Sequence, residues 1–127
     1  MRNYLIVALG AGLGGSARYW ISKMVQNVFP PNFPYGTLAV NLLGSFLLGL
    51  IMYMFDADVL IRPETRLFFA VGFCGALTTF STFSFETMNL LRDAEFFLAS
   101  ANIILNVILT FLGIGLAFII SKNLLGA

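Results

Sequence analysis

The sequence contains no histidine and a single cysteine, and only 10% of its residues are charged. Each shortage closes off a class of function. Without histidine there is no Ser-His hydrolytic pair and no histidine-bound zinc. A Ser-Lys pair would have to draw on Lys23 or Lys122, and both lie near the ends of apolar stretches. The lone Cys74 makes neither an internal disulfide nor a multi-cysteine metal site, and it reads as a small packing residue. An enzyme is therefore not expected. The net charge is +1, too small a surplus for a nucleic-acid footprint.

Scarce charge also excludes a soluble domain. Soluble domains carry about 25% charged residues. This 127-residue chain is instead 59% hydrophobic, with mean hydropathy +0.92. A helix needs about 20 apolar residues to cross the hydrocarbon core, and four stretches supply them, over about 3–27, 36–55, 64–91 and 94–121. The opening MRNYLIVALGAGLGG mimics a signal peptide, but its apolar run continues to Trp20, which predicts an uncleaved helix. Pro30, Pro31 and Pro34 interrupt the chain after the first span. The most charged segment, DADVLIRPE, separates the second from the third. Pro63 suits the first turn of the third span, with Glu64 beside its positive end. Asp93 is expected to cap the fourth. Short connections predict antiparallel neighbours and one transmembrane domain over residues 1–127.

Four spans place both termini on one side. That side holds Arg2, Arg62, Arg66 and Lys122, and the other holds Arg18, Lys23 and Arg92. Orientation is normally set by an excess of Lys and Arg in cytoplasmic loops. So small a bias fits either a weakly biased single orientation or insertion both ways up.

Three motifs carry the chemistry. The first span contains GAGLGGSARYW, where Gly10 and Gly14 share a face on which helix backbones can approach closely. Arg18 lies one turn further along that face. It either snorkels to water or stands as a fixed positive charge at the mouth of an anion pathway. The second span reads GTLAVNLLGSFLLGL, with Thr37, Asn41, Ser45 and Gly49 in one stripe. Asn41 either binds helices together or offers amide N–H groups to an ion. The fourth span carries a matching stripe of Asn102, Asn106, Thr110 and Gly113, and two such stripes suggest a wet seam or a subunit interface.

The third span contains GFCGALTTFSTFSFE. Gly72 and Gly75 flank Cys74, and a threonine pair follows, so the helix is expected to break between Gly72 and about Thr79. A break in lipid is tolerated only where it is buried in protein or lines a cavity. Its carbonyls either hold a small cation or are satisfied by the Thr78 and Thr79 hydroxyls. Phe80 and Phe83 share a helix face, with Ser81 and Thr82 turned toward a neighbouring groove. A phenyl ring has a positive edge, so such a pair either simply packs or meets an anion edge-on beside hydroxyl and amide donors.

On these three motifs and the four-span layout, the chain resembles the bacterial fluoride channel family, the Fluc or CrcB proteins. The resemblance covers nearly the whole chain, and the third motif is its most specific part. It implies an all-α membrane protein with four spans per subunit, the third broken near the midplane, assembled as an antiparallel, dual-topology homodimer in the bacterial inner membrane. It implies two fluoride pores and a central structural sodium ion held by the backbone carbonyls of Gly75 and Thr78 from both subunits. Phe80 and Phe83 match the pore phenylalanines, Asn41 the pore asparagine, Ser81 and Thr82 the hydroxyl track. Arg18 matches the vestibule arginine, and Glu86 the acid that closes the third motif. The implied partners are fluoride, a second copy of the chain and membrane lipid, with no nucleic acid. The implied activity is passive export of cytoplasmic fluoride. The rival is a small multidrug-resistance-type proton-coupled transporter, which needs a carboxylate within the membrane; only Glu86 is a candidate.

Overall fold

Prolines and glycines mark where the helices start, stop and touch. The computed structural model describes residues 1–56 and 61–126. Residues 57–60 of the charged loop, Asp58 among them, lie outside that description. Helix α1 spans Arg2–Val28 and α2 spans Tyr35–Asp56. The third segment is composite. A first turn, α3 (Pro63–Arg66), runs into a π-helical stretch (Leu67–Cys74) and then one α-turn, α4 (Gly75–Leu77). Thr78 and Thr79 are extended, and α5 (Phe80–Arg92) and α6 (Phe96–Leu125) complete the chain.

These boundaries follow from local chemistry. Phe29 precedes a proline and is extended (φ −108°, ψ 160°), which ends α1. The expected start of the third segment is borne out: Pro63 lies in its first turn with Glu64 beside it. Asp93, expected to cap the fourth span, instead closes α5, and α6 begins behind Glu95 without a side-chain cap. The intervening turn needs Ala94 at φ 59°, and this uncommon left-handed residue displaces the helix start by two positions.

Three helical segments, Tyr35–Phe55, Pro63–Arg92 and Phe96–Leu125, are long and apolar enough to cross a membrane. Helix α1 has 27 residues but is less apolar, because glycines and Arg18 and Lys23 dilute it. Those glycines have a packing role. A Cβ on Gly10 or Gly14 would strike the carbonyl oxygen of Phe68 or Phe73, and one on Gly72 would lie 2.7 Å from the Val7 carbonyl. The backbone of α1 therefore rests directly on the π-helical stretch, as small residues allow in lipid. Helix α2 pairs with α6, and a Cβ on Gly49 would come within 2.8 Å of Ala117. Away from these seams, apolar side chains such as Leu9, Ile104, Phe111 and Leu116 face outward.

The loop between α1 and α2 is held from inside. Phe33 is buried and Tyr35 stacks on Phe29. Gln26 donates to the carbonyls of Pro30 and Phe33 and accepts from the Gly36 N–H. This staple places Thr37, the first member of the α2 polar stripe, against the third segment.

Candidate functional site

The site is built around the two extended residues, Thr78 and Thr79. In an unbroken helix the Thr79 N–H would reach the Gly75 carbonyl. Here it donates to Asn41 Oδ1 at 2.8 Å. Asn41 Nδ2 in turn donates to the Thr79 carbonyl at 3.1 Å. One carboxamide thus holds both backbone polar groups of Thr79, much as a neighbouring strand would. A second diversion follows. The Thr82 N–H goes to Thr79 Oγ1 at 3.2 Å, as an N-cap for α5, rather than to the Thr78 carbonyl. The carbonyls of Gly75 and Thr78 therefore lose their usual helical donors. The Thr78 hydroxyl satisfies a different carbonyl, that of Cys74, at 3.1 Å. Gly75 is exposed on the surface of the chain, and Cys74 is buried and reduced, as a packing residue should be.

Two clefts flank Thr79. The first, of about 260 Å³, runs between α2, α5 and α6 and is lined by Asn41, Phe80, Phe83, Asn106 and Thr110 among others. The Phe80 and Phe83 rings come together there, with centroids 5.5 Å apart and planes tilted by 52°. Phe80, at the rim of this groove, is 79% exposed. The second cleft, of about 270 Å³, brings Arg18 of α1 beside Thr37, Thr79 and Thr82. It adjoins a third of about 300 Å³, where Lys23 and Gln26 face Thr82 and Glu86. Thr79 lines the first two clefts, and Thr82 the last two.

Donors are distributed unequally along this path. Both N–H groups of Asn41 are committed within the protein, one to Thr79 and the other to Asn106 Oδ1 at 3.0 Å. Asn41 therefore lines the groove without offering it a hydrogen, and of its two readings the geometry matches the one that binds helices together. Thr79 Oγ1 donates to Thr82 Oγ1 at 3.2 Å, so the Thr82 hydroxyl hydrogen is free for another acceptor. Ser81 is exposed, with its Oγ 3.4 Å from Thr79 Oγ1. Glu86 Oε1 accepts from the Thr37 hydroxyl at 2.8 Å, while Oε2 is enclosed with no partner among the described residues.

The two polar stripes meet each other within the chain, through Asn41 and Asn106. Thr79 was expected at the edge of the break, but not as the cap of α5, although a threonine three residues before Thr82 at a helix start is a recognisable cap signal. Neither the Thr37–Glu86 contact, across 49 residues, nor the Gln26 staple has any local signature.

Long apolar helices with outward-facing aliphatic side chains, and a buried line of asparagine and threonine side chains between them, define a multi-pass α-helical membrane protein. The sequence relationships agree. The chain belongs to the CrcB family, matching "CrcB-like protein, Camphor Resistance (CrcB)" over residues 5–118. It is 43% identical over 124 residues to a protein of Geotalea uraniireducens, covering 98% of this chain and 100% of that one. It is 48% identical over 124 residues to one of Pyrococcus horikoshii, covering 95% and 99% respectively. A Shewanella halifaxensis protein is 48% identical over 107 residues, covering 84% and 86%. All three carry the name "Fluoride-specific ion channel FluC".

Proposed function

We propose that this chain is the subunit of a fluoride-selective channel that lets cytoplasmic fluoride leave passively through the plasma membrane. The observation that carries the reading is the pairing of Phe80 and Phe83 over the extended residues Thr78 and Thr79, in a chain whose relatives are named fluoride channels. Fluoride holds water tightly, so its path must replace several hydrogen bonds without one deep trap. Arg18 supplies positive potential at one mouth. The Thr82 and Ser81 hydroxyls then offer hydrogens, and the ring edges of Phe80 and Phe83 take over where donors run out. Asn41 shapes this path by holding Thr79, and Glu86 closes it beside Thr37. A membrane potential negative inside favours exit by about 2.3 kcal/mol per charge per 100 mV.

The working unit is an antiparallel homodimer with two pores, in which α1 serves as the fourth span of each subunit. Two features favour a second copy as the cover. The Phe80 ring is largely exposed, and Gly75, whose carbonyl has lost its helical donor, is exposed as well. In lipid a freed carbonyl is tolerated only where it is buried in protein or lines a cavity. Among the described residues no three His, Cys, Asp or Glu side chains cluster to hold a metal ion. Gly75 and Thr78 of both subunits would instead hold a central sodium ion, a hard cation suited to carbonyl oxygen. Its contribution is structural: it joins the subunits and adds positive potential beside the pores.

The test is efflux from liposomes containing purified protein. Fluoride should leave freely and chloride should not, and equal rates would end the channel reading. Sodium removal should weaken the dimer and the flux together. A proton-coupled transporter remains the rival because Glu86, in the third span, has an enclosed oxygen without a partner. Fluoride flux that is indifferent to a proton gradient separates the two.

A further inference from the structure

Two buried residues of α6, Asn102 and Asn106, form one hydrogen-bonded line with Thr87 and Asn41 that ends on the extended backbone. The polarity of every link is set from one end. The Thr87 hydroxyl gives its only hydrogen to the Phe83 carbonyl at 2.7 Å, so toward Asn102 it can only accept. Asn102 Nδ2 donates to it at 2.9 Å, which turns Asn102 Oδ1 toward Asn106. Asn106 Nδ2 donates to the side-chain and backbone oxygens of Asn102, at 2.9 and 2.8 Å. Both of its hydrogens are thereby used, and its Oδ1 faces Asn41. Asn41 Nδ2 donates to that oxygen and to the Thr79 carbonyl, which leaves Asn41 Oδ1 to receive the Thr79 N–H.

We propose that Thr87, Asn102 and Asn106 are positioning residues that fix the orientation of the Asn41 carboxamide and so hold Thr79 out of the helix. Asn102 and Asn106 are 0% and 6% exposed, and Thr87 is 7% exposed, so water cannot stand in for a missing link. Turning any one amide over would set donor against donor at one side and acceptor against acceptor at the other. The line also keeps both Asn41 hydrogens out of the groove, where a free amide would bind an anion too firmly to release it. This consequence rests on the channel reading, whereas the hold on Thr79 does not.

The experiment uses hydrogen exchange by NMR on the full-length protein in lipid nanodiscs. Thr87→Val keeps the side-chain shape but removes the hydroxyl, and Thr87→Ser keeps the hydroxyl. Thr87→Val should speed exchange of the Thr79 amide on the order of tenfold, while α1 amides stay as in wild type. Thr87→Ser should restore wild-type exchange at Thr79. An unchanged Thr79 amide in Thr87→Val, or a uniform rise over all helices, overturns the proposal. Asn102→Leu, which cuts the same line one link further on, should repeat the Thr87→Val pattern, and failure to do so counts against it equally. Fluoride efflux from liposomes should fall in Thr87→Val and recover in Thr87→Ser. If wild-type protein passes no fluoride, the channel reading fails, and the exchange data still decide the positioning role.

Discussion

Replacing Asn41 by leucine keeps the branched shape and removes both hydrogen bonds to the Thr79 backbone, leaving only the Thr79 side-chain cap of α5. Three hydrogen bonds disappear: Thr79 N–H to Oδ1 at 2.8 Å, Nδ2 to the Thr79 carbonyl at 3.1 Å, and Nδ2 to Asn106 Oδ1 at 3.0 Å. Side-chain hydrogen bonds between membrane helices average about 0.6 kcal/mol and reach about 1.7, so the set is worth about 2–5 kcal/mol. Asn41 and Thr79 are each 8% exposed and Asn106 is 6% exposed, so solvent offers little compensation. The backbone has one escape. Thr79 can swing its N–H back to the Gly75 carbonyl and rewind the helix, and the Gly75 oxygen is then no longer free. Whichever happens, Asn41→Leu should lose about 2–5 kcal/mol in reversible unfolding in detergent micelles followed by circular dichroism. Fluoride efflux should drop at least about tenfold, because a barrier increase of about 1.4 kcal/mol suffices. A variant within about 0.5 kcal/mol of wild type, the range of ordinary surface changes, and with full fluoride flux, would refute the account of how the third segment is held open.

Phe80→Ile removes a ring that packs little within the chain, so circular dichroism should show an unchanged helix content while liposome fluoride efflux falls at least about tenfold. Gly14→Ala places a methyl group against the Phe73 backbone and should cost roughly 1–3 kcal/mol in micelle unfolding, as over-packing does. Gly12→Ala, with nothing within 4 Å, should instead be neutral or stabilise by about 0.5–1 kcal/mol through helix propensity. Ala94→Gly relieves a left-handed alanine at φ 59° and should raise stability by up to about 1 kcal/mol in the same assay.

The class of protein and the outline of its helices were legible in the residues themselves. Burial of an apolar helix in lipid is a property of one segment at a time, so charge scarcity and run length locate the three apolar spans, whereas α1, expected as a fourth, is long enough but less apolar. Proline and glycine act through their own backbone limits, which is why the end of α1 and the start at Pro63 could also be read directly. The Asp93 cap could not, because a left-handed Ala94 has no signature in sequence. The glycine face of α1 announced a close helix contact, though not that its partner would be a π-helical stretch.

The third segment divides the same way. Gly75 and the threonine pair announced a weak point, and Phe80 and Phe83 announced a shared face. Which carbonyls lose their donors was decided by Asn41, 38 residues away from Thr79, and by the Thr79 cap. The stripe positions of Asn41 and Asn106 were visible, but not that their amides would join, since a contact across 65 residues depends on how α2 and α6 are docked. Propensity and hydropathy belong to single residues and short windows, and they set the elements. Hydrogen-bond partnership belongs to pairs brought together by packing, so the commitment of every Asn41 hydrogen inside the protein exists only in the folded chain.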